Sequence, residues 1–260
     1  MNMLSEKIRE NIQAFANLLG YTIVPTYKKG YISESIVENE FGTIYRKCKE
    51  YSLTSLERMY ALYKSVEYVV KSQIPGDFVE CGVWRGGSAM VMAHALIKMK
   101  ETSRRIWLYD TFEGMSKPSE EDTSCSDGSM AINKWRTKQT KDHCEWDYAS
   151  LDEVTQNMLL TGYPEENLFF IKGRIEDTVP EHMPSRIALL RLDTDWYEST
   201  KHELNHLFPL LIKHGILIID DYGHWAGSRK AVDEYFSQKK LPILLNRIDY
   251  TGRIAVKINE

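Results

Sequence analysis

The sequence predicts an α/β protein built on a doubly wound, mostly parallel sheet that ends in an antiparallel hairpin. From about residue 77 onward, short apolar runs alternate with segments of helical periodicity, the pattern of a parallel sheet covered by helices. Seven of the apolar runs have the length of strands. The last two are separated only by residues 249–252, which leaves no room for a crossover helix, so we expect them to pair antiparallel.

The predicted strands span residues 77–81, 105–110, 167–173, 187–193, 215–221, 242–248 and 253–258. Between the fourth and fifth strands, apolar residues within 204–211 recur at helical spacing, with Gly215 expected as the C-terminal cap and Pro209 expected to bend the helix. Residues 228–238 repeat the helical pattern. Seven strands with a final antiparallel hairpin are typical of the class I methyltransferase form of this Rossmann-like sheet, whereas a dinucleotide-binding fold normally stays parallel.

Two regions fall outside the alternation of strands and helices. Residues 1–76 contain a long helical pattern from Ser55 onward, which predicts an N-terminal helical segment packed on the core domain at 77–260. Residues 113–149 are polar and acidic with isolated tryptophans. An insertion of that length in a compact domain is usually functional, so we expect a lid at about 113–149.

Composition and charge exclude several classes of partner. The chain has 260 residues, is 43% hydrophobic and 27% charged, and carries a formal net charge of -4, so it lacks the basic footprint of a nucleic-acid binder. It has no apolar stretch of membrane-spanning length and no apolar signal core at its N-terminus. Its four cysteines form no CxxC pair, which argues against a zinc site or a disulfide framework. We therefore expect a cytoplasmic protein without nucleic-acid or membrane partners.

The segment VECGVWRGGSAM, residues 79–90, is a candidate cofactor loop. Glu80 and Gly82 end a predicted strand, two further glycines turn the chain, and Ser88 is expected to cap the next helix. The spacing is GxxxGG and not the GxGxxG of dinucleotide-binding proteins. An acid just before the first glycine suits a ligand with a cationic amino acid end, such as S-adenosylmethionine. An ordinary strand-to-helix turn is the alternative.

Two further strand ends could complete such a site. Asp110 ends the second predicted strand, where an acid can accept both ribose hydroxyls of a nucleoside; a helix cap is the alternative. Residues Gly173–Ile175 follow the third strand and could form a wall for the adenine, or simply an ordinary turn.

Carboxylates follow the next two predicted strands. Asp193 and Asp195 come after one strand, and Asp220 and Asp221 after the other. Because strand ends in a parallel sheet share one edge, Asp193, Asp220 and Asp221 are expected to converge, and three carboxylates suit a hard divalent ion such as Mg²⁺. Helix capping is the alternative for each acid taken singly.

Together, these motifs resemble the macrocin O-methyltransferase (TylF-type) family, whose members methylate sugar hydroxyls of natural products such as macrolides and aminocoumarins. The resemblance is carried by YSLTSLERMYALYKSVEYVV, FVECGVWRGGSAM, YDTFEGM, KGRIEDT, LDTDWYEST and IDDYGHWAGSRKAVDEYF. It implies an S-adenosylmethionine-dependent methyltransferase domain at 77–260, a Mg²⁺ cofactor, a mobile lid, a glycosylated small-molecule substrate, a role in antibiotic biosynthesis and commonly a homodimer.

The resemblance also implies roles for individual residues. The metal ligands of the family fall on Asp193, Asp220 and Asp221, and its general base falls on Asp195. Cofactor contacts fall on Glu80, Gly82, Ser88, Asp110, Gly173 and Ile175, and on Tyr51, Thr54 and Ser55 of the N-terminal segment.

The expected reaction is in-line displacement of the sulfonium methyl group by a hydroxyl. Asp193 is expected to act in it as a metal ligand and Asp195 as the proton acceptor. Three alternatives stay open: a catechol-type O-methyltransferase, a non-catalytic S-adenosylmethionine-binding protein and an NAD-dependent oxidoreductase. The GxxxGG spacing and the final hairpin count against the oxidoreductase.

Overall fold

The fold is known from a computed structural model, which describes Ile12 and residues 39–259. Its helices are α1 (Asn39–Cys48), α2 (Leu56–Lys71), α3 (Gly87–Lys98), α4 (Ala131–Thr137), α5 (Leu151–Leu159), α6 (Ile175–Thr178), α7 (Tyr197–His206) and α8 (Ala226–Lys239). Its strands are β1 (Asp77–Cys81), β2 (Ile106–Asp110), β3 (Leu168–Lys172), β4 (Ile187–Leu192), β5 (Leu211–Ile219), β6 (Asn246–Arg247) and β7 (Arg253–Val256). Short 3-10 turns lie at Lys49–Tyr51, Glu165–Asn167 and Phe208–Leu210.

The seven strands form one mixed sheet in the order β3-β2-β1-β4-β5-β7-β6. Strands β1 to β5 are parallel, and β7 runs antiparallel to both β5 and β6. The predicted α/β class with its final antiparallel hairpin is therefore confirmed. The order reverses between β1 and β4, and a reversal of this kind opens a crevice at the carboxyl ends of the strands.

Three details of the predicted elements were wrong. Gly215 lies inside β5 and caps no helix, because α7 already ends at His206 and the chain enters β5 at Leu211. Pro209 sits in the 3-10 turn between them, where its missing N–H and fixed φ end the α-helix instead of bending it. The predicted strand at 242–248 is reduced to Asn246–Arg247 on the outer edge of the sheet.

Side chains of the central strands alternate between two helical layers. The cluster that includes Val79, Leu190 and Leu217 packs with Leu204 of α7 and Val232 of α8. The opposite face of β4 and β5 is covered by α2, which also packs on α3. All six residues of β4 are buried, as expected for a central parallel strand. Arg191 is among them, so its guanidinium needs buried partners.

The two regions outside the alternation contribute helices. The predicted helical pattern from Ser55 onward corresponds to α2, whereas the first half of the expected segment at 1–76 precedes residue 39 and, apart from Ile12, lies outside the described residues. The insertion at 113–149 contains α4 and joins the loop after β5 through a backbone bridge between Ser124 and Trp225. Among the described helices, none combines the length and the apolar character needed to cross a bilayer.

Candidate active site

A cavity of about 250 Å³ opens at the carboxyl ends of the parallel strands. Eleven of the residues selected from the sequence line it: Tyr51, Thr54, Gly82, Ser88, Asp110, Gly173, Ile175, Asp193, Asp195, Asp220 and Asp221. Glu80 and Ser55 do not line it. The topology thus brings residues from six separate stretches of the chain around one space.

The glycine loop lets three chain segments approach one another closely. Gly82 has a φ of +83°, and a Cβ there would lie 1.9 Å from the carbonyl oxygen of Asp193. A Cβ on Gly87 would lie 2.6 Å from the carbonyl oxygen of Tyr51, so the N-terminal segment passes directly over the loop. Gly86 caps α3 in the left-handed conformation, and Ser88 is the second residue of that helix. The expectation that Ser88 is the cap was wrong, because the turn needs a positive φ at residue 86.

Asp110 ties the end of β2 to the glycine loop. Its Oδ2 accepts hydrogen bonds from the backbone N–H groups of Val83 and Trp84 at 2.7 and 3.1 Å, and its Oδ1 accepts from Phe112 at 2.8 Å. Burial raises the pKa of Asp110, although the three backbone N–H groups act to lower it. The carbonyl oxygen of Asp110 also accepts from the N–H of Gly173 at 3.0 Å, which links this loop to the end of β3.

Asp193, Asp220 and Asp221 form a carboxylate cluster in which one oxygen from each residue lies within 4.8 Å of the others. Burial raises the pKa of Asp193 and Asp221, and the charges of the neighbouring carboxylates raise it further. The Oδ2 atom of Asp221 is buried and has no hydrogen-bond partner among the described residues. Three oxygen donors, one of them without a partner, fit a hard divalent ion.

Two arginines that the sequence reasoning missed contact this cluster. Arg191 donates from Nη1 to Asp193 Oδ2 at 2.7 Å and from Nη2 to Asp220 Oδ1 at 2.6 Å. Arg58 of α2 pairs with Asp220 and, at 3.0 Å, with Asp249. The available signal was the single arginine within the apolar run IALLRL of β4, since a charge in a buried strand requires an opposite charge nearby.

Glu80 of β1 is a buried ionic partner of Arg191. Arg191 Nη1 donates to Glu80 Oε1 at 2.7 Å, while Glu80 Oε2 is buried without a hydrogen-bond partner among the described residues. Burial raises the pKa of Glu80 to about 7 against the opposing effect of Arg191. In this structure its side chain belongs to the ionic network beneath the cavity, and its expected contact with a cofactor stays a prediction.

Asp195 lies beside the cluster and interacts electrostatically with it. Its φ is +67°, and its Oδ1 accepts a hydrogen bond from the indole Nε1 of Trp225 at 2.7 Å. Burial raises its pKa well above the ordinary value, and the charges of Asp193 and Asp147 raise it further. A partly buried carboxylate with a raised pKa can hold a proton that it receives inside the cavity.

The N-terminal segment supplies one wall of the cavity. Thr54 Oγ1 donates to Asp220 Oδ1 at 3.3 Å and accepts from Arg191 Nη2 at 3.1 Å. Ser55 instead caps α2, accepts from the N–H of Arg58, and donates to Asp249 Oδ2 at 2.6 Å. Thr54 therefore contacts the carboxylate cluster, whereas Ser55 anchors the helix that carries Arg58.

Comparison with known proteins assigns this arrangement to a family. Residues 42–256 match the Macrocin-O-methyltransferase (TylF) family. The chain belongs to the TylF family. It is accordingly an O-methyltransferase, and the class I fold and the family expected from the motifs are both confirmed.

Individual relatives of this TylF-family member agree with that assignment. The chain is 35% identical over 202 residues, 78% of this chain and 74% of the relative, to 8-demethyl-8-(2,3-dimethoxy-alpha-L-rhamnosyl)-tetracenomycin-C 4'-O-methyltransferase of Streptomyces olivaceus. It is 31% identical, with the same coverage, to demethyldecarbamoylnovobiocin O-methyltransferase of Streptomyces niveus. Among solved structures, the O-methyltransferase NovP matches with a TM-score of 0.69 and 28% identity, covering 80% of this chain and 83% of NovP.

Proposed function

We propose that this TylF-family enzyme transfers the methyl group of S-adenosylmethionine to a sugar hydroxyl of a glycosylated natural product, with assistance from Mg²⁺. The carboxylate cluster of Asp193, Asp220 and Asp221, set beside the glycine loop in one cavity, is the observation that carries the proposal. The names of its relatives support the acceptor class, since one acts at the 4' position of a rhamnosyl tetracenomycin and another is a mycinamicin III 3''-O-methyltransferase.

The cavity fits S-adenosylmethionine through backbone and carboxylate groups. The glycine loop at Gly82 and the first turn of α3 present backbone to the cavity, and no side chain among the described residues caps that turn. Asp110 stands at the end of β2, where a carboxylate can accept ribose hydroxyls, and Gly173–Ile175 line the cavity at the end of β3. When bound, S-adenosylmethionine supplies an electrophilic methyl group.

The charges of the cluster fit a divalent cation. Among the described residues, four carboxyl groups but only two guanidinium groups lie at the cavity end of β4 and β5. The carboxyl groups belong to Asp193, Asp195, Asp220 and Asp221, and the guanidinium groups to Arg58 and Arg191. Net negative charge therefore remains after the ion pairs are made. Asp193, Asp220 and Asp221 would hold the ion, which when bound supplies charge neutralisation and lowers the pKa of a nearby hydroxyl.

The chain's own residues then orient the acceptor and receive its proton. The hydroxyl oxygen forms a bond to the methyl carbon, while the carbon–sulfur bond breaks and leaves its electron pair on sulfur. The hydroxyl proton passes to the carboxylate of Asp195. The products are a methyl ether and S-adenosylhomocysteine. Residues of the N-terminal segment and of the insertion line the cavity, and displacement of water from it by the bound acceptor would strengthen the electrostatic effects of the carboxylates.

The insertion at 113–149 serves as the lid in this proposal. Gly114, Met115, Ser116 and Asp147 of the insertion line the cavity, which supports a role in covering the acceptor. The division into residues 1–76 and 77–260, the homodimer and the cytoplasmic location stay predictions from the sequence.

Calorimetry and a transfer assay test the proposal together. We expect S-adenosylhomocysteine to bind wild type, Mg²⁺ to bind the complex, and Asp221→Asn to lose most of its Mg²⁺ affinity while keeping the nucleoside. Asp152→Asn, on the exposed side of α5, controls for the loss of one carboxylate. Methyl transfer to a catechol but not to rhamnosylated acceptors would reject the sugar as substrate. Turnover that survives complete removal of divalent ions would reject the metal.

A further inference from the structure

Asp195 is held in a backbone conformation that side-chain-bearing residues rarely adopt. Its φ of +67° falls in the left-handed region, between the end of β4 and the start of α7. Strain of this kind persists only where the surrounding structure imposes it, and it is concentrated at functional sites. Contacts with neighbouring groups must therefore maintain this conformation of Asp195.

One of those groups is the indole of Trp225. Its Nε1 lies 2.7 Å from Asp195 Oδ1, and an indole N–H can only donate a hydrogen bond. The bond therefore restricts rotation of the carboxylate and assigns Oδ1 as the acceptor. Trp225 is only 7% exposed, so water competes little for its N–H group.

Trp225 is itself fixed by packing and by the insertion. Its ring makes an edge contact with Trp196 at 5.1 Å and a tilted contact with Trp146 at 6.1 Å. On either side of it, Cys125 N–H donates to the carbonyl of His224 at 2.8 Å and Ala226 N–H donates to the carbonyl of Thr123 at 2.9 Å. The indole thus has a rigid platform to which residues 123–125 of the insertion contribute.

We infer that Trp225 is the positioning residue for Asp195, and that its indole N–H sets the orientation in which Asp195 receives the hydroxyl proton. This role rests on the proposed function, because it assigns Asp195 as the proton acceptor. Residues 123–125 of the insertion would then have a role besides covering the cavity, because their backbone hydrogen bonds hold Trp225, the residue that orients Asp195. Proton transfer is sensitive to the orientation of the base, so the effect belongs in kcat and not in cofactor binding.

The test replaces the indole by a ring that has no donor. We expect Trp225→Phe to lower kcat about tenfold or more while the KM for S-adenosylmethionine changes by less than about threefold. Trp196→Phe is the matched control: Trp196 lies in the same cluster, but its Nε1 donates to the carbonyl of Ser116 at 2.9 Å and to no carboxylate of the described residues. Equal kcat losses in the two variants would overturn the inference.

A double-mutant cycle guards against a purely structural effect. If Trp225 acts through Asp195, adding Trp225→Phe to Asp195→Asn should cost no further activity, whereas independent effects would multiply. A loss of kcat that persists in the Asp195→Asn background overturns the inference.

A spectroscopic reading separates this inference from the proposed function. In a ¹H–¹⁵N spectrum of the six tryptophan indoles, the resonance that Trp225→Phe removes should shift in Asp195→Asn. If that resonance shifts while wild type methylates no glycosylated acceptor, the proposed function fails and the contact between the two side chains stands. If wild type is active and the resonance does not move, the positioning role is wrong.

Discussion

Arg191 of β4 and Glu80 of β1 are paired in the register of the parallel sheet and form a buried ion pair, with Nη1 donating to Oε1 at 2.7 Å. The same guanidinium reaches Asp193 and Asp220 at the carboxyl ends of two strands. One buried cation therefore connects the central strands to the carboxylate cluster. The geometry of the cluster therefore depends on this guanidinium, which Glu80 holds in turn.

Replacement of Arg191 by methionine should destabilise the enzyme strongly. It would leave Glu80 without its ionic partner in a buried position, and breaking a buried pair typically costs about 3–5 kcal/mol. Urea unfolding of Arg191→Met measures this free energy, with the exposed Arg186→Met as control. Addition of Glu80→Gln should restore part of the loss, because it removes the orphaned acid. A single variant as stable as wild type would show that the ion pair contributes nothing.

Arg58→Met should tighten the binding of Mg²⁺. Arg58 pairs with Asp220 and repels a cation at the same carboxylates, so its removal should increase affinity on the order of tenfold, equivalent to about 1.4 kcal/mol. Calorimetric titration with Mg²⁺ measures the change, and Arg46→Met on the exposed side of α1 is the control. Weaker Mg²⁺ binding by Arg58→Met at unchanged stability would mean that Arg58 supports the ion instead of competing with it.

Gly82→Ala should be far more damaging than the same change at Gly128. Both glycines have positive φ, +83° and +71°, so the backbone strain of about 1–2 kcal/mol is common to them. Of the two added Cβ atoms, the one at Gly82 meets the carbonyl oxygen of Asp193, whereas the one at Gly128 has no atom of the described residues within 4 Å. Thermal unfolding and S-adenosylhomocysteine titration should both show the difference. Equal effects in the two variants would remove the steric reason for Gly82.

Glu203→Gln should stabilise the enzyme at neutral pH and above. Glu203 of α7 is fully buried, accepts from Thr194 Oγ1 at 2.9 Å, and faces Cys81 and, more distantly, Glu176. Burial raises the pKa of Glu203 well above 4.5, so the folded state keeps the proton after the unfolded chain has released it. Stability therefore falls as pH rises from the unfolded pKa towards the folded pKa, by about 1.4 kcal/mol per unit.

Unfolding curves between pH 5 and pH 8 test the Glu203 prediction, because the free energy of unfolding of wild type relative to the variant should fall by up to about 1.4 kcal/mol per pH unit. The advantage of Glu203→Gln over wild type should grow as the pH increases. Glu198→Gln, an exposed acid on the same helix, controls for the loss of one charge. An advantage that shrinks with rising pH would contradict the raised pKa.

Much of the fold, and the position of the carboxylates in it, could be predicted from local patterns in the sequence. The alternation of apolar runs and helical periods, and the four-residue link at 249–252, identified the seven strands and the final hairpin. The acids after two strands pointed to one edge of the sheet, where Asp193, Asp220 and Asp221 do lie together. These predictions succeed because periodicity and strand ends are local properties, and parallel topology then places equivalent strand ends side by side.

The partners of those acids depended on the tertiary structure. Arg58 lies 162 residues from Asp220 in sequence, and Trp225 lies 30 residues from Asp195. Because these separations are long, no local sequence pattern predicts either contact. Gly86 caps α3 where Ser88 was expected, because the turn adopts a positive φ of +91° at residue 86. The sequence by itself determined the fold, the family and the acids at the strand ends. Only the packed structure decided which acids are paired with arginines and which is held by an indole, because burial and charge pairing arise between residues that are distant along the chain.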